Sequence, residues 1–209
     1  MQVFLIAALT ADGFIAKDPK EPSTNWTSKA DKKWFNQKTR EAGVVVMGRK
    51  TYETIDEAFR PLTGRANLVY SRNQKSEARN SKPTKGVPLG QIRNLKNLKN
   101  QTLVTYLNLD SQDLLDKLEQ SGFKSVAICG GSSIYTMFVR SGLVDTLYLT
   151  VEENVKFGEG VRLFNDQFSM HKKQFGDQEL KLIGFKYKLT KIYLLAEKTK
   201  VLEYHLISN

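Results

Sequence analysis

Apolar residues along this chain fall in short, nearly unbroken blocks separated by stretches of helical spacing. Val3–Leu9 is continuously apolar and stops at Asp12-Gly13, a pair suited to a tight turn. Gly43–Met47, Ala66–Tyr70, Thr102–Tyr106, Ser125–Cys129 and Thr146–Thr150 have the same form. Blocks this short, apolar at both odd and even positions, suit strands buried on both faces, as in a parallel sheet covered by helices. Between them, Ser28–Ala42, Ser111–Ser121 and Ser132–Ser141 read as helices, each opening near a serine and followed by Gly43, Gly122 or Gly142. Serine supplies a side-chain acceptor for the first free amides, and glycine takes the left-handed conformation that ends a helix. The alternation predicts an α/β fold of three layers: a mixed, mostly parallel sheet with helices on both faces. From Leu180 to Ile207 the pattern is strand-like with no intervening helix, which predicts a C-terminal antiparallel hairpin. Without an internal repeat or a linker, residues 1–209 read as one domain carrying a basic loop insertion at about 72–101.

The composition, 40% hydrophobic and 26% charged over 209 residues, is that of a globular chain long enough to bury a core unaided. A lone cysteine, Cys129, excludes an intrachain disulfide and a cysteine-based zinc site. With only His171 and His205, neither a histidine-rich metal centre nor a Ser-His-Asp triad is a good first reading, and no metal is expected. Val3–Leu9 is too short to span a bilayer and has no basic leader, so the expectation is a cytoplasmic protein without membrane partners. The net charge of +10, from 32 basic and 22 acidic residues, attracts anions: nucleic acid, a phosphorylated cofactor or a polycarboxylate substrate. Arg72, Lys75, Arg79, Lys82, Lys85, Arg93, Lys96 and Lys99 stand against Glu77 alone, among Pro83, Gly86, Pro88 and Gly90. A solvated loop accounts for this run. Nucleic-acid binding ranks lowest, because no recognition motif accompanies the charge.

Asp31 is the first candidate for chemistry. Trp34 and Phe35 follow at the third and fourth positions, so the carboxylate shares the apolar stripe of its helix. Two readings remain open at this level. Ser28-Lys-Ala-Asp31 has the spelling of a capping box, in which Asp31 bonds back to the Ser28 amide; alternatively Asp31 is a pocket carboxylate. Two strand-to-helix junctions, Val44–Met47 into Gly48-Arg-Lys-Thr51 and Val126–Cys129 into Gly130-Gly-Ser-Ser-Ile-Tyr135, place backbone amides where anions bind. Neither spells a Rossmann fingerprint or a P-loop. Arg49 and Lys50 oppose the helix dipole at the first junction, an arrangement that makes sense with an anion between them.

The ordered series Ile6-Ala-Ala-Leu9, Asp12-Gly-x-Ile15, Trp26, Asp31, Phe35, Thr39, Met47-Gly-Arg-Lys-Thr51, Arg60-Pro-Leu-Thr-Gly-Arg65, Asn67-Leu-Val-Tyr-Ser-Arg72, Gly130-Gly-Ser-Ser-Ile-Tyr135 and Tyr148-Leu-Thr150 resembles the dihydrofolate reductase family. The resemblance runs to about Phe164. It implies an eight-stranded sheet, NADPH as hydride donor, and reduction of 7,8-dihydrofolate to tetrahydrofolate in a monomer or homodimer. Carried over by position, it implies Asp31, Thr150 and Tyr135 as catalytic residues, Asp31 holding the pterin and promoting N5 protonation and Thr150 bonding that carboxylate. It implies a substrate pocket of Ile6, Ala8, Phe35, Ile55, Leu62 and Cys129, with Arg65 clamping the folate glutamate. For NADPH it implies Ala8, Ile15, Gly48, Arg49, Lys50 and Thr51, then Ser71 and Arg72 at the 2′-phosphate. Cys129, a cis Gly130–Gly131 pair, Ser132, Ser133, Ile134 and Tyr135 complete the cofactor set. Departures exist: Thr24-Asn25 replaces the usual Met-Pro, Lys32 replaces an apolar residue and Tyr52 replaces a common tryptophan. Thr51-Tyr-Glu53 and Gly158-Glu-Gly160-Val-Arg-Leu-Phe164 look more like the related riboflavin-pathway reductase, which implies 5-amino-6-(5-phosphoribosylamino)uracil as the alternative substrate.

Overall fold

The computed structural model describes residues 1–71, 103–165 and 176–208. Arg72 and the basic run to Lys99 lie outside these residues, as does His171. Eleven strands and four α-helices are described. The apolar blocks form β1 (Gln2–Thr10), β3 (Val44–Gly48), β4 (Ala66–Tyr70), β5 (Leu103–Leu107), β6 (Ser125–Ile128) and β7 (Thr146–Glu152). The helices are α1 (Lys29–Ala42), α2 (Arg49–Thr54), α3 (Ser111–Gln120) and α4 (Ser132–Arg140). β2 (Phe14–Ala16) and β8 (Val161–Arg162) pair as a small antiparallel ribbon that no apolar block had marked.

The main sheet has nine strands in the order β5-β4-β3-β6-β1-β7-β11-β10-β9. β5 through β7 are mutually parallel. The closing segment supplies β9 (Glu179–Leu182), β10 (Phe185–Ala196) and β11 (Thr199–Ser208), all antiparallel. A hairpin was expected here; the chain adds a further edge strand because Ile183 and Gly184 both take positive φ, 53° and 89°, the conformation that reverses a strand in two residues. This also brings the sheet to nine strands rather than eight.

Side chains of β1 alternate between two cores. Phe4 and Ile6 join Val45, Met47, Val69, Ala127 and Tyr148 beneath α1 and α2. Leu5, Ala7 and Leu9 join Val44, Val46, Leu68 and Ile128 beneath α3 and α4, where Leu114, Leu118, Ile134 and Phe138 pack. The caps differ in detail from the serine pattern. Ser28 caps α1, its Oγ accepting from the Asp31 amide at 3.1 Å. α3 is capped instead by Asp110, whose carboxylate accepts from the Gln112 amide at 2.8 Å and, being charged, also complements the helix dipole. At α4 the capping position is Gly131, which has no side chain to offer.

The chain leaves β1, crosses by α1 to β3, and continues outward to β4 and β5; β6 then returns to fill the vacant place between β3 and β1. That reversal opens a crevice at the carboxyl ends of β3, β6 and β1, where ligands of open α/β sheets bind. Among the described residues no helix is long and apolar enough to cross a membrane.

Candidate active site

Asp31 sits in the first turn of α1 with 8% of its surface exposed. Its backbone makes half of the capping box, through Ser28 Oγ. The reciprocal half goes elsewhere: the Ser28 amide donates to Glu152 Oε1 at 2.7 Å. The Asp31 carboxylate is therefore not consumed as a cap. Burial raises its pKa to about 6. The Thr150 hydroxyl pulls it back down, the charge of Glu152 pushes it up, and Thr27 and Lys32 lower it. Thr150 lies beside Ala8 in the β1–β7 pairing. Its Oγ1 is buried and, although close enough to influence Asp31, makes no hydrogen bond of ordinary geometry.

Ile6, Phe35, Ile55, Leu62 and Cys129 belong to the one apolar cluster on the α1 side of the sheet. Burial pushes the Cys129 thiol up to about 12, so it is neutral and serves as a small apolar group. Arg65 reaches the same region with 3% exposure. Its guanidinium donates to the Thr39 hydroxyl and, at 2.8 Å, to Asn36 Oδ1, while Nε has no partner. Burial lowers its pKa to about 10, which leaves it charged at neutral pH.

The two glycine junctions meet. Gly48 N donates to Gly130 O at 2.7 Å and Cys129 N to Val46 O at 2.8 Å, so the ends of β3 and β6 form one ledge. The Gly130–Gly131 peptide is cis. A Cβ on Gly131 would lie 3.1 Å from Thr51 Oγ1, and one on Gly48 3.3 Å from Ile134. Side chains are thus excluded from a cradle between α2 and the start of α4, whose first amides lack a side-chain cap. Ser132 Oγ donates to Arg162 O, and Ser133 Oγ accepts from Asn165 at 2.8 Å. Ser133 and Asn165 border an open groove of about 500 Å³ with Asp110, Met137 and Arg140. Tyr135, fully buried, donates to Ile6 O at 2.7 Å. Arg49 pairs with Glu53 on α2 at 2.9 Å, Lys50 is exposed, and Ser71 is buried at the end of β4. Ile15, on β2, packs against the core of the opposite face.

Glu152, Thr199, Thr27 and Asn165 were not singled out from sequence. One signal for Glu152 was available: it is the single charged residue of β7 and stands two residues from Thr150, on the same face of the strand.

Over residues 1–199 the sequence matches the family described as RibD C-terminal domain. The chain belongs to that family. The RibD-type chain is also 27% identical over 152 residues to a dihydrofolate reductase of Aedes albopictus, covering 70% of each. Against bifunctional dihydrofolate reductase-thymidylate synthases of Glycine max and Arabidopsis thaliana it spans 14% of their length. Among solved structures it superposes with TM-score 0.67 on a diaminohydroxyphosphoribosylaminopyrimidine deaminase/5-amino-6-(5-phosphoribosylamino)uracil reductase of Thermotoga maritima, at 14% identity over 99% of this chain and 56% of that one. It superposes with TM-score 0.59 on a dihydrofolate reductase of Enterococcus faecalis complexed with NADP(H), at 20% identity over 99% and 97%. The fold of this RibD-family chain is that of the dihydrofolate reductase-like oxidoreductases.

Proposed function

We propose that this chain reduces a C=N bond in a nitrogen heterocycle with NADPH, and that the heterocycle is 7,8-dihydrofolate. The observation that carries the reading is Asp31: a buried carboxylate with pKa near 6, free of its helix cap, beside the buried hydroxyl of Thr150 that moderates its pKa. A pterin presents two adjacent N–H donors, the 2-amino group and its ring neighbour, which match one carboxylate and a hydroxyl.

The cradle of Gly48, Gly130 and Gly131 with the uncapped start of α4 fits the pyrophosphate and nicotinamide of a dinucleotide. Thr51, Ser132, Ser133 and Ile134 border it, with Arg49, Lys50 and Ser71 toward its outer end. Bound there, NADPH supplies hydride. Tyr135 and Cys129 close the inner wall, and Ile6, Ala8, Phe35, Ile55 and Leu62 exclude water from the heterocycle. Asp31 orients that ring and, with its pKa raised toward neutrality, keeps a proton available for N5 as C6 is reduced. Arg65, charged and with an unpartnered Nε, offers an electrostatic anchor for the glutamate carboxylate.

A second reading is reduction of 5-amino-6-(5-phosphoribosylamino)uracil. The comparisons lean toward it, through the RibD match over residues 1–199 and the Thermotoga maritima structure. NADPH oxidation by the purified chain with each substrate in parallel, repeated with Asp31→Asn, tests both. Turnover of dihydrofolate that collapses in the variant supports the first reading, and turnover of the uracil alone replaces it with the second.

A further inference from the structure

Glu152 is a second carboxylate in the heart of the molecule, with 2% of its surface exposed. It ends β7, paired with Thr10 on one side and Thr199 on the other. Both oxygens are used. Oε1 accepts from the Ser28 amide and Oε2 from Thr199 Oγ1, each at 2.7 Å. Thr199 Oγ1 lies 3.1 Å from Ser28 Oγ, which in turn accepts from the Asp31 amide. A continuous network therefore runs from Glu152 to the backbone of Asp31, joining three segments distant in sequence.

We propose that Glu152 is a positioning residue for Asp31: it takes the Ser28 amide that a capping-box carboxylate would otherwise hold, fixes the start of α1 against β7, and leaves the Asp31 carboxylate free for the substrate. This rests on the reading of Asp31 given above. A capping box keeps its carboxylate on the helix. Here the bond is supplied from a strand, so the same helix start is capped without using the residue that chemistry requires. The cost of burying Glu152 is offset by its two short hydrogen bonds from neutral donors.

The arrangement also places two carboxylates in one electrostatic environment. Facing Asp31 are Glu152 from β7, Lys32 on its own helix and the Tyr135 hydroxyl from α4; facing Glu152 are the Ser28 amide and the hydroxyl of Thr199 on β11. Like charge opposes ionisation, so Glu152 helps Asp31 retain its proton.

The test is a pH titration of the Asp31 carboxyl in the ligand-free chain. Carbon-13 NMR of aspartate-labelled protein reads it, the signal being assigned by its loss in Asp31→Asn. Glu152→Gln preserves the shape of the side chain and one acceptor oxygen for the Ser28 amide, replaces the second oxygen by an N–H donor toward Thr199, and removes the charge; Glu152→Ala removes the charge and both hydrogen bonds. In Glu152→Gln the midpoint should fall from near 6 by roughly half a pH unit or more. In Glu152→Ala the midpoint should also fall, and the amides of Ser28 and Asp31 should exchange with solvent at least roughly tenfold faster. A loss of thermal stability in Glu152→Ala, with midpoint and exchange unmoved in both variants, would overturn the proposal and leave Glu152 a structural residue. The outcome is separable from the assigned reaction. Shifted titration without turnover of either substrate defeats only the functional reading, whereas turnover that collapses in Asp31→Asn with an unshifted titration defeats only the role of Glu152.

Discussion

Tyr135 Oη donates to the carbonyl of Ile6 at 2.7 Å, joining α4 to β1 across 129 positions of sequence. The bond fixes the phenol ring against Gly130, where an added Cβ would lie 3.0 Å from the ring carbon Cζ and the hydroxyl oxygen. The inner wall of the proposed cofactor cradle is therefore set by two contacts that cannot relax independently.

Gly130→Ala should be costly. Its φ of +108° disfavours any side chain, and the Cβ meets a ring that can move only by giving up its hydrogen bond. A loss of roughly 2–3 kcal/mol is expected in chemical denaturation. Gly131→Ala should lose less, since its Cβ meets the Thr51 hydroxyl, but should weaken NADPH binding in a fluorescence titration. A reversed ranking of the two in stability would show that Tyr135 yields easily.

Asp31→Asn should lower turnover by roughly 100-fold or more at neutral pH. It should also stabilise the fold there. The folded-state pKa of about 6 lies above the ordinary 3.8, so the native chain binds more protons between those values. Stability consequently falls as pH rises through that window and stays lower above it, by up to about 3 kcal/mol. The variant should gain on the order of 1–3 kcal/mol over the native chain at pH 8 and little at pH 4, measured by urea unfolding.

Thr150→Val should lower stability at neutral pH by about 1 kcal/mol, because it removes the hydroxyl that favours the ionised form of the buried Asp31 carboxylate. The Asp31 midpoint should rise, since that hydroxyl holds it down. The pH–rate profile would show the change, and KM for dihydrofolate should increase.

Arg65→Leu should raise KM for dihydrofolate by roughly tenfold or more while leaving the dissociation constant for NADPH within about twofold. It should also lower the melting temperature, because Asn36 Oδ1 and Thr39 lose a buried donor. An equal effect on substrate and cofactor would assign Arg65 to the scaffold of α1 alone.

Much of the architecture is legible in the amino-acid pattern. Val44, Val45 and Val46 read as a strand covered on both faces and are fully buried. Gly43 read as a helix terminator and has φ of 75°. The closing segment read as strands, but its extra turn depended on Ile183 adopting a conformation that its sequence does not announce. In the site, Asp31 was legible as a residue with two readings, and the glycine junctions as candidate anion cradles.

The sequence by itself determined what is local: which faces are apolar, where helices begin and end, and which residues carry unusual chemistry for their surroundings. Periodicity reports the environment a residue needs and not the segment that will supply it. Only the tertiary structure decided that the Ser28 amide belongs to Glu152, 124 positions away, and that Arg65 bonds to Asn36 and Thr39. Both pairings follow from burial: once a donor is taken from water it must be satisfied by whatever acceptor the packed sheet and helices bring to it, and that neighbour is chosen by topology.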